Sequence, residues 1–325
     1  MRKIGTLFLL PFWCLLAVSC GSEPVESPEV VGALERYQYA EAHIGTTVRL
    51  VFYLDDEDQA DALAAQCYAK LKVLELVLSD YKAESEVRKL CALPIGEAHP
   101  VSGALFDVLE RAQEIAEKSG GAFDVTMGTQ SQAWRAREEL EPSAVSYKDL
   151  VLDKQQRSVT LLKPMVIDLG GIGKGYMADA LMEVLRGAGV KCAAVVIGGE
   201  TVLGDAPPEK KGWHIGIEDP EHKIVGKVVL ENTALSTSGD SYQFFEADGQ
   251  RRSHLIDPSS KQSMSNRLNV MTLAKRAIDA DGWATALRVM PIKKAIKIAN
   301  AEPDLEALFI PYQKDTIATD RFPTH

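Results

Sequence analysis

The sequence predicts an α+β fold of mixed sheets and helices, built as one unit. Strand-like alternation and helical periodicity are interleaved along the chain without strict β–α alternation, which argues against a doubly wound sheet. No Pro-, Gly- or Ser-rich linker divides residues 37–315. Of the 325 residues 46% are hydrophobic, an ordinary globular proportion with ample core for one large domain or two lobes.

The elements follow in order. Thr47 to Leu54 alternates, with Val48, Leu50, Phe52 and Leu54 on one face of a strand. Asp55-Asp56-Glu57-Asp58 then caps a helix whose apolar residues fall at Leu63, Cys67, Leu71, Leu74 and Leu78. After Ser102 a second helix turns Leu105, Val108, Leu109, Ala112 and Ile115 inward and ends at Gly120-Gly121. Short strands are expected over 150–153, 158–162 and 165–169, then a helix from about Gly175 to Leu185 and a buried strand at Ala193–Ile197. Over 213–256 several strands are expected, with Asp248-Gly249 turning a hairpin between Tyr242–Glu246 and Arg251–Ile256. A strand near 269–274, a helix from about 278 to 290 and a strand near 305–311 close the chain.

The N-terminus reads as a targeting segment. Arg2 and Lys3 precede an apolar run from Ile4 to Val18. At about 1.5 Å per residue that run spans roughly 22 Å, short of a bilayer core of about 30 Å. It ends in Leu16-Ala17-Val18-Ser19-Cys20, followed by Gly21-Ser22-Glu23-Pro24. This resembles the lipobox of bacterial lipoproteins, in which the Cys becomes the acylated N-terminus; a plain secretory signal with an incidental Cys is the other reading. The expected organisation is a signal peptide over 1–19, a lipidated Cys20 with a flexible spacer over 20–36, and a folded domain over 37–325. Such a protein is tethered to the bacterial cell envelope through Cys20 and faces the periplasm.

Charge narrows the function. The chain carries 36 Lys+Arg against 46 Asp+Glu, a formal charge of −10. Loss of residues 1–19 removes Arg2 and Lys3, leaving 34 against 46 and a charge of −12. With no basic run to offset that balance, a nucleic-acid partner is not expected. Cys67, Cys91 and Cys192 remain after Cys14 and Cys20 are set aside, an odd number without metal spacing.

Three constellations bear on chemistry. Asp168-Leu169-Gly170-Gly171-Ile172-Gly173-Lys174-Gly175 precedes a helix, where backbone N–H groups favour anions. It fails the dinucleotide fingerprint because Tyr176 stands where Gly is needed, and it fails the Walker pattern at Asp168 and Gly175. A tight strand–helix connection is the plainer reading, although Lys174 supplies a local cation for a phosphate in an acidic protein. Asp281 and Thr285 lie one helical turn apart, an arrangement that suits Mg²⁺ or, more plainly, a capping carboxylate and a Thr bonded to its own helix. His254, in Ser253-His254-Leu255-Ile256-Asp257-Pro258, is a candidate base near neutral pH or a structural strand residue. Ser236-Thr237-Ser238-Gly239-Asp240 lacks the flanking pattern of a nucleophile elbow and reads as a hydrogen-bonding turn.

In this order the motifs resemble those of the ApbE family, the FAD:protein FMN transferases. The resemblance is carried by Ile44-Gly45-Thr46, Leu78-Ser79-Asp80-Tyr81 with Ser85-Glu86, and Ser119-Gly120-Gly121-Ala122-Phe123-Asp124-Val125-Thr126. It continues through the Asp168–Tyr176 loop, Gly198-Gly199, Trp213-His214-Ile215-Gly216-Ile217 with Asp219-Pro220, Ser236–Asp240, Ser253–Pro258 and Ala280–Leu287. It spans about residues 40 to 290. Departures fall at Ile44 for a common Met, Cys91 for Asn, Val125 for Pro, Ile197 for a polar residue, and Ser260-Lys261 for Thr-Gly.

The resemblance implies a T-fold-related unit with an FAD cleft. It implies Mg²⁺-dependent transfer of FMN from FAD to a Thr or Ser hydroxyl of an acceptor flavoprotein subunit, releasing AMP. Carried over position by position, Ile44, Tyr81, Ala122, Phe123, Asp124, Asp168, Lys174 and Leu255 are FAD contacts. The Gly171 carbonyl, Asp281 and Thr285 hold the metal, and His254 is the base. Two alternatives are an Mg²⁺-dependent FAD pyrophosphatase giving FMN and AMP, and a non-catalytic flavin-binding lipoprotein.

Overall fold

A computed structural model describes residues 34–138, 144–247 and 249–323. The proposed signal peptide, Cys20, the spacer up to residue 33 and Asp248 of the expected hairpin turn lie outside the described residues. A compact unit spans Ala33–His325. No helix among the described residues is long and apolar enough to cross a membrane.

The unit opens with a hairpin of β1 (Glu35–His43) and β2 (Thr46–Leu54), paired from Glu35↔Leu54 to His43↔Thr46. Its two-residue turn holds Ile44 and Gly45 at φ +45° and +72°, as tight hairpins require. β1 overlaps the end of the expected spacer: Glu35 and Arg36 pair with Leu54 and Tyr53 and belong to the domain. Helix α1 (Glu57–Leu78) is capped by Asp56, whose carboxylate accepts from Gln59 N at 2.8 Å. Such a cap is worth about 1 kcal/mol. After α2 (Glu86–Leu90) and the short β3 (Ala98–Pro100) comes α3 (Gly103–Ser119). It begins on Ser102 and ends on Gly120 at φ +68°, the turn its glycine pair predicts. α4 (Gly128–Ala136), β4 (Leu150–Asp153) and β5 (Ser158–Leu161) follow, β3, β5 and β4 making a small sheet in that order.

Residues 165–169 do not form the expected strand. Their backbone bonds go to a turn instead: Asp168 N donates to Val125 O at 2.8 Å and Gly128 N to Val166 O at 3.0 Å. Without a ladder partner the segment is a connection. α5 (Gly173–Gly187) starts two residues before its expected beginning. Next come β6 (Ala193–Ile197), β7 (Glu200–Leu203), β8 (Trp213–Glu218), β9 (Ile224–Leu230) and β10 (Thr233–Ser238). Ser236–Ser238 therefore lie on a strand, not in a turn. The hairpin of β11 (Phe244–Ala247) and β12 (Gln250–Ser253) ends earlier than expected, because Ile256 pairs elsewhere, in β13 (Ile256–Asp257) with β14 (Gln262–Ser263). β15 (Leu268–Ala274), α6 (Ala277–Val289), α7 (Ile292–Ala301), β16 (Glu306–Pro311) and β17 (Ile317–Ala318) complete the chain.

Eight strands form one antiparallel sheet in the order β1-β2-β6-β7-β10-β15-β16-β17. Period-two alternation sorts their side chains onto two faces. Val48, Leu50, Phe52, Val195, Ile197, Val270 and Phe309 join the core shared with α1, α3, α5 and α6, where Trp283 is fully enclosed. Val51, Ala194, Leu203, Leu235, Met271 and Leu308 face the other way and pack under Ile217 of β8 and Val228 of β9. Burial on both faces explains why the central strands read as continuous apolar runs. Helix α6 crosses α5 closely because Gly175 has no side chain: a Cβ there would collide with the Ala277 carbonyl and stand 2.8 Å from the Asp281 Cβ. That crossing sets the site.

Candidate active site

The start of α5, the first turns of α6 and the start of β7 meet in a buried polar cluster. Lys174 Nζ donates to the Gly170 carbonyl at 2.8 Å and lies 3.4 Å from Glu200 Oε1. Asp281, only 3% exposed, accepts a hydrogen bond from Gly175 N at 2.9 Å. Thr285, one turn on, points its hydroxyl at the Gly171 carbonyl at 3.5 Å. The capping alternative for Asp281 and Thr285 is thereby set aside, since both reach across to the loop before α5. Asp179 on α5 caps α6 instead, accepting from Ala277 N at 2.8 Å and Ile278 N at 3.0 Å.

Burial and charge oppose one another in this cluster. Burial raises the pKa of Asp281 and of Glu200, while Lys174 pulls both down and loses. Burial also disfavours charge on Lys174, but Asp281 and Glu200 outweigh it and hold the ammonium protonated. Ser236 of β10 donates to Glu200 Oε1 at 3.4 Å.

A second group adjoins the first through Asp168. Its Oδ1 accepts from Gly170 N at 2.8 Å, and its Oδ2 lies 3.3 Å from Arg135 of α4. Arg135 also pairs with Asp80 at 2.7 Å and lays its guanidinium 4.1 Å from the centre of the Tyr81 ring. Tyr81 is 75% exposed, an aromatic surface held from one side and open on the other. Trp134, beside Arg135, meets the His254 ring edge-on at 6.0 Å. His254 follows β12 rather than lying on it, and its Nδ1 is 3.1 Å from the Gln243 carbonyl. A carbonyl only accepts, so Nδ1 carries the proton and Nε2 the lone pair. Burial, with a smaller push from Lys174, lowers the His254 pKa below 6.5, so the imidazole is neutral at neutral pH.

Most of the sequence-derived candidates converge here, though not all with the same role. Phe123 is buried beside Gly171, where a Cβ would stand 3.2 Å from its ring. Ile44 sits at the hairpin tip with its N–H on Glu75 Oε1 at 2.9 Å. Ala122 is half-buried against the core and Leu255 is buried. Both carboxylate oxygens of Asp124 are taken internally, by Thr126 N and Oγ1 and by Tyr147 N, so its side chain shapes the turn. Glu200, Arg135 and Trp134 were not anticipated. Glu200 had a visible signal, a lone charge inside the apolar run Ala193–Leu203, whereas Arg135 lies in a polar stretch with no pattern.

The fold is that of the flavin transferases. The apo flavinyl transferase ApbE of Pseudomonas stutzeri superposes with a TM-score of 0.79 at 27% identity, covering 89% of this chain and 96% of that one. The flavin transferase ApbE of Vibrio cholerae gives 0.79 at 25% identity, over 89% and 98%. Residues 44–309 match the model of the ApbE family, and the chain belongs to that family. Among curated relatives, an FAD:protein FMN transferase of Treponema pallidum (strain Nichols) is 30% identical over 328 residues, covering 91% of this chain and 89% of that protein. One from Klebsiella pneumoniae (strain 342) is 29% identical over 279 residues, 80% of each.

Proposed function

We propose that this enzyme moves the FMN moiety of FAD onto a Thr or Ser hydroxyl of an acceptor flavoprotein subunit and releases AMP. Family membership and the names of the relatives support FMN transfer from FAD to a protein. The observation that carries the finer reading is the position of a neutral, tautomer-fixed His254 within electrostatic reach of Lys174.

The residues fit Mg²⁺. The Gly171 carbonyl, Asp281 carboxylate and Thr285 hydroxyl are hard oxygens, and a Cβ at position 171 would stand 3.0 Å from Thr285 Oγ1 and fill the cradle. No group of three or more His, Cys, Asp or Glu among the described residues forms a metal site. A single carboxylate with two neutral oxygens matches Mg²⁺ sites that leave positions for water and substrate phosphates. Bound there, the ion would offset pyrophosphate charge as the bridging oxygen departs.

The chain's own groups do the rest. Lys174 holds a fixed positive charge beside the pyrophosphate. Tyr81, braced by Arg135, offers its open face for stacking. His254 Nε2 takes the proton of the acceptor hydroxyl as its oxygen bonds to the FMN phosphorus; the bond to the AMP-side oxygen breaks, and AMP leaves with the electron pair. Ile44, Ala122, Phe123, Asp124, Asp168 and Leu255 line the cleft as FAD contacts, Asp124 through the backbone it fixes.

We further propose that Cys20 is acylated and that the domain works at the periplasmic face of the bacterial envelope. The Leu16–Cys20 lipobox and the apolar run before it support this. The test of function is incubation with FAD, Mg²⁺ and acceptor, read by the intact mass of the acceptor. Free FMN without flavin on the acceptor would make the enzyme a pyrophosphatase, and retained FAD would make it a binding protein.

A further inference from the structure

We infer that Glu200 is a second carboxylate ligand of the metal site formed by Gly171, Asp281 and Thr285. The inference rests on that proposed Mg²⁺ site and adds a residue to it. Glu200 is 4% exposed at the start of β7, where the sheet brings it under Lys174. Its two oxygens are not equivalent. Oε1 faces Lys174 at 3.4 Å and the Ser236 hydroxyl at 3.4 Å, whereas buried Oε2 has no hydrogen-bond partner. A buried carboxylate oxygen without a donor costs free energy on the order of 1–3 kcal/mol or more. The Glu200 carboxylate lies within electrostatic reach of the Asp281 carboxylate.

Gly198 adopts φ +62°, and a Cβ built on it would stand 3.7 Å from Oε2 and 3.1 Å from Thr46 Oγ1. Lys174 does not fill the need, since it approaches Oε1 and gives its short hydrogen bond to the Gly170 carbonyl. Two adjacent carboxylates, one with an unused oxygen, a hydroxyl and a carbonyl make a donor set that a divalent cation completes. Mg²⁺ sites that combine one or two carboxylates with substrate phosphates are common. The second carboxylate would let the ion bind before FAD arrives.

The test is Mg²⁺ titration calorimetry on the flavin-free full-length protein, comparing wild type, Glu200→Gln and Asp281→Ala. Loss of a charged ligand predicts Mg²⁺ binding weakened about tenfold or more in Glu200→Gln, at least the range seen when groups behind a ligand are removed. Wild-type affinity in Glu200→Gln, with binding abolished in Asp281→Ala, would overturn the role of Glu200 and leave the metal site standing. Absence of Mg²⁺ binding in the wild type would overturn both. Thermal unfolding without metal checks that the variant is folded. If it is not, Glu200→Asp, which keeps the charge and draws the oxygen back, is read in the same titration and is expected to bind Mg²⁺ more weakly than wild type; unchanged affinity would overturn the inference.

Discussion

Gly175 N donates to Asp281 Oδ2 at 2.9 Å, joining the first turn of α5 to the buried carboxylate of α6. One bond thus fixes the only charged member of the three proposed ligands Gly171, Asp281 and Thr285, and it exists because position 175 has no side chain.

Gly175→Ala should therefore damage both stability and site. Its Cβ would meet the Ala277 backbone, which cannot move aside as a flexible side chain could. Overpacking of this kind costs about 1–3 kcal/mol. Thermal unfolding should show a drop of several degrees, together with weaker Mg²⁺ binding. An unchanged melting temperature would mean that the helices separate at no cost.

Asp281→Ala removes the carboxylate of α6 and leaves the Thr285 hydroxyl, the Gly171 carbonyl and, by the inference above, Glu200 alone, a set that holds Mg²⁺ poorly. FAD turnover should collapse, and raising Mg²⁺ should not restore it. Normal turnover of Asp281→Ala at limiting Mg²⁺ would remove Asp281 from the metal site.

The lowered pKa of His254 gives a signed pH dependence. In its proposed role as base His254 acts as the neutral imidazole, and burial preserves that form below the ordinary 6.5. The transfer rate should stay level from pH 8 down to about 6.5 and decline only below it. His254→Ala should lose about 10² to 10⁴ in transfer while keeping its FAD affinity, the loss typical of a general base. A limb with its midpoint above pH 7, or loss of FAD binding in the variant, would assign His254 another role.

Much of the fold was legible because burial imposes periodicity. Helix α1 with its Asp56 cap, α3 between Ser102 and Gly120, and strands β2, β6, β15 and β16 all follow from apolar spacing and turn chemistry. β1 is a largely exposed edge strand, so its sequence carries little apolar alternation. Residues 165–169 look like a strand because they are buried, yet their hydrogen bonds go to a turn. In the site, spacing put Asp281 and Thr285 on one face but not what that face meets. Tertiary approach across the α5–α6 crossing turns the two side chains toward the first turn of α5 and the loop before it rather than onto their own helix, and no local pattern encodes it. Arg135, bridging Asp80, Asp168 and Tyr81, was invisible for the same reason.

The anchor is tested apart from the chemistry. Wild type should carry lipid mass and require detergent, whereas Cys20→Ala should lack the lipid. Wild-type protein recovered wholly in the soluble periplasmic fraction without added mass would contradict acylation.

The central claim is transfer, and the intact mass of an acceptor protein after incubation with enzyme, FAD and Mg²⁺ tests it most directly. The account predicts an acceptor heavier by one FMN unit, lost when its target Thr or Ser is replaced, with AMP released in equal amount. An acceptor of unchanged mass beside accumulating free FMN and AMP would contradict it.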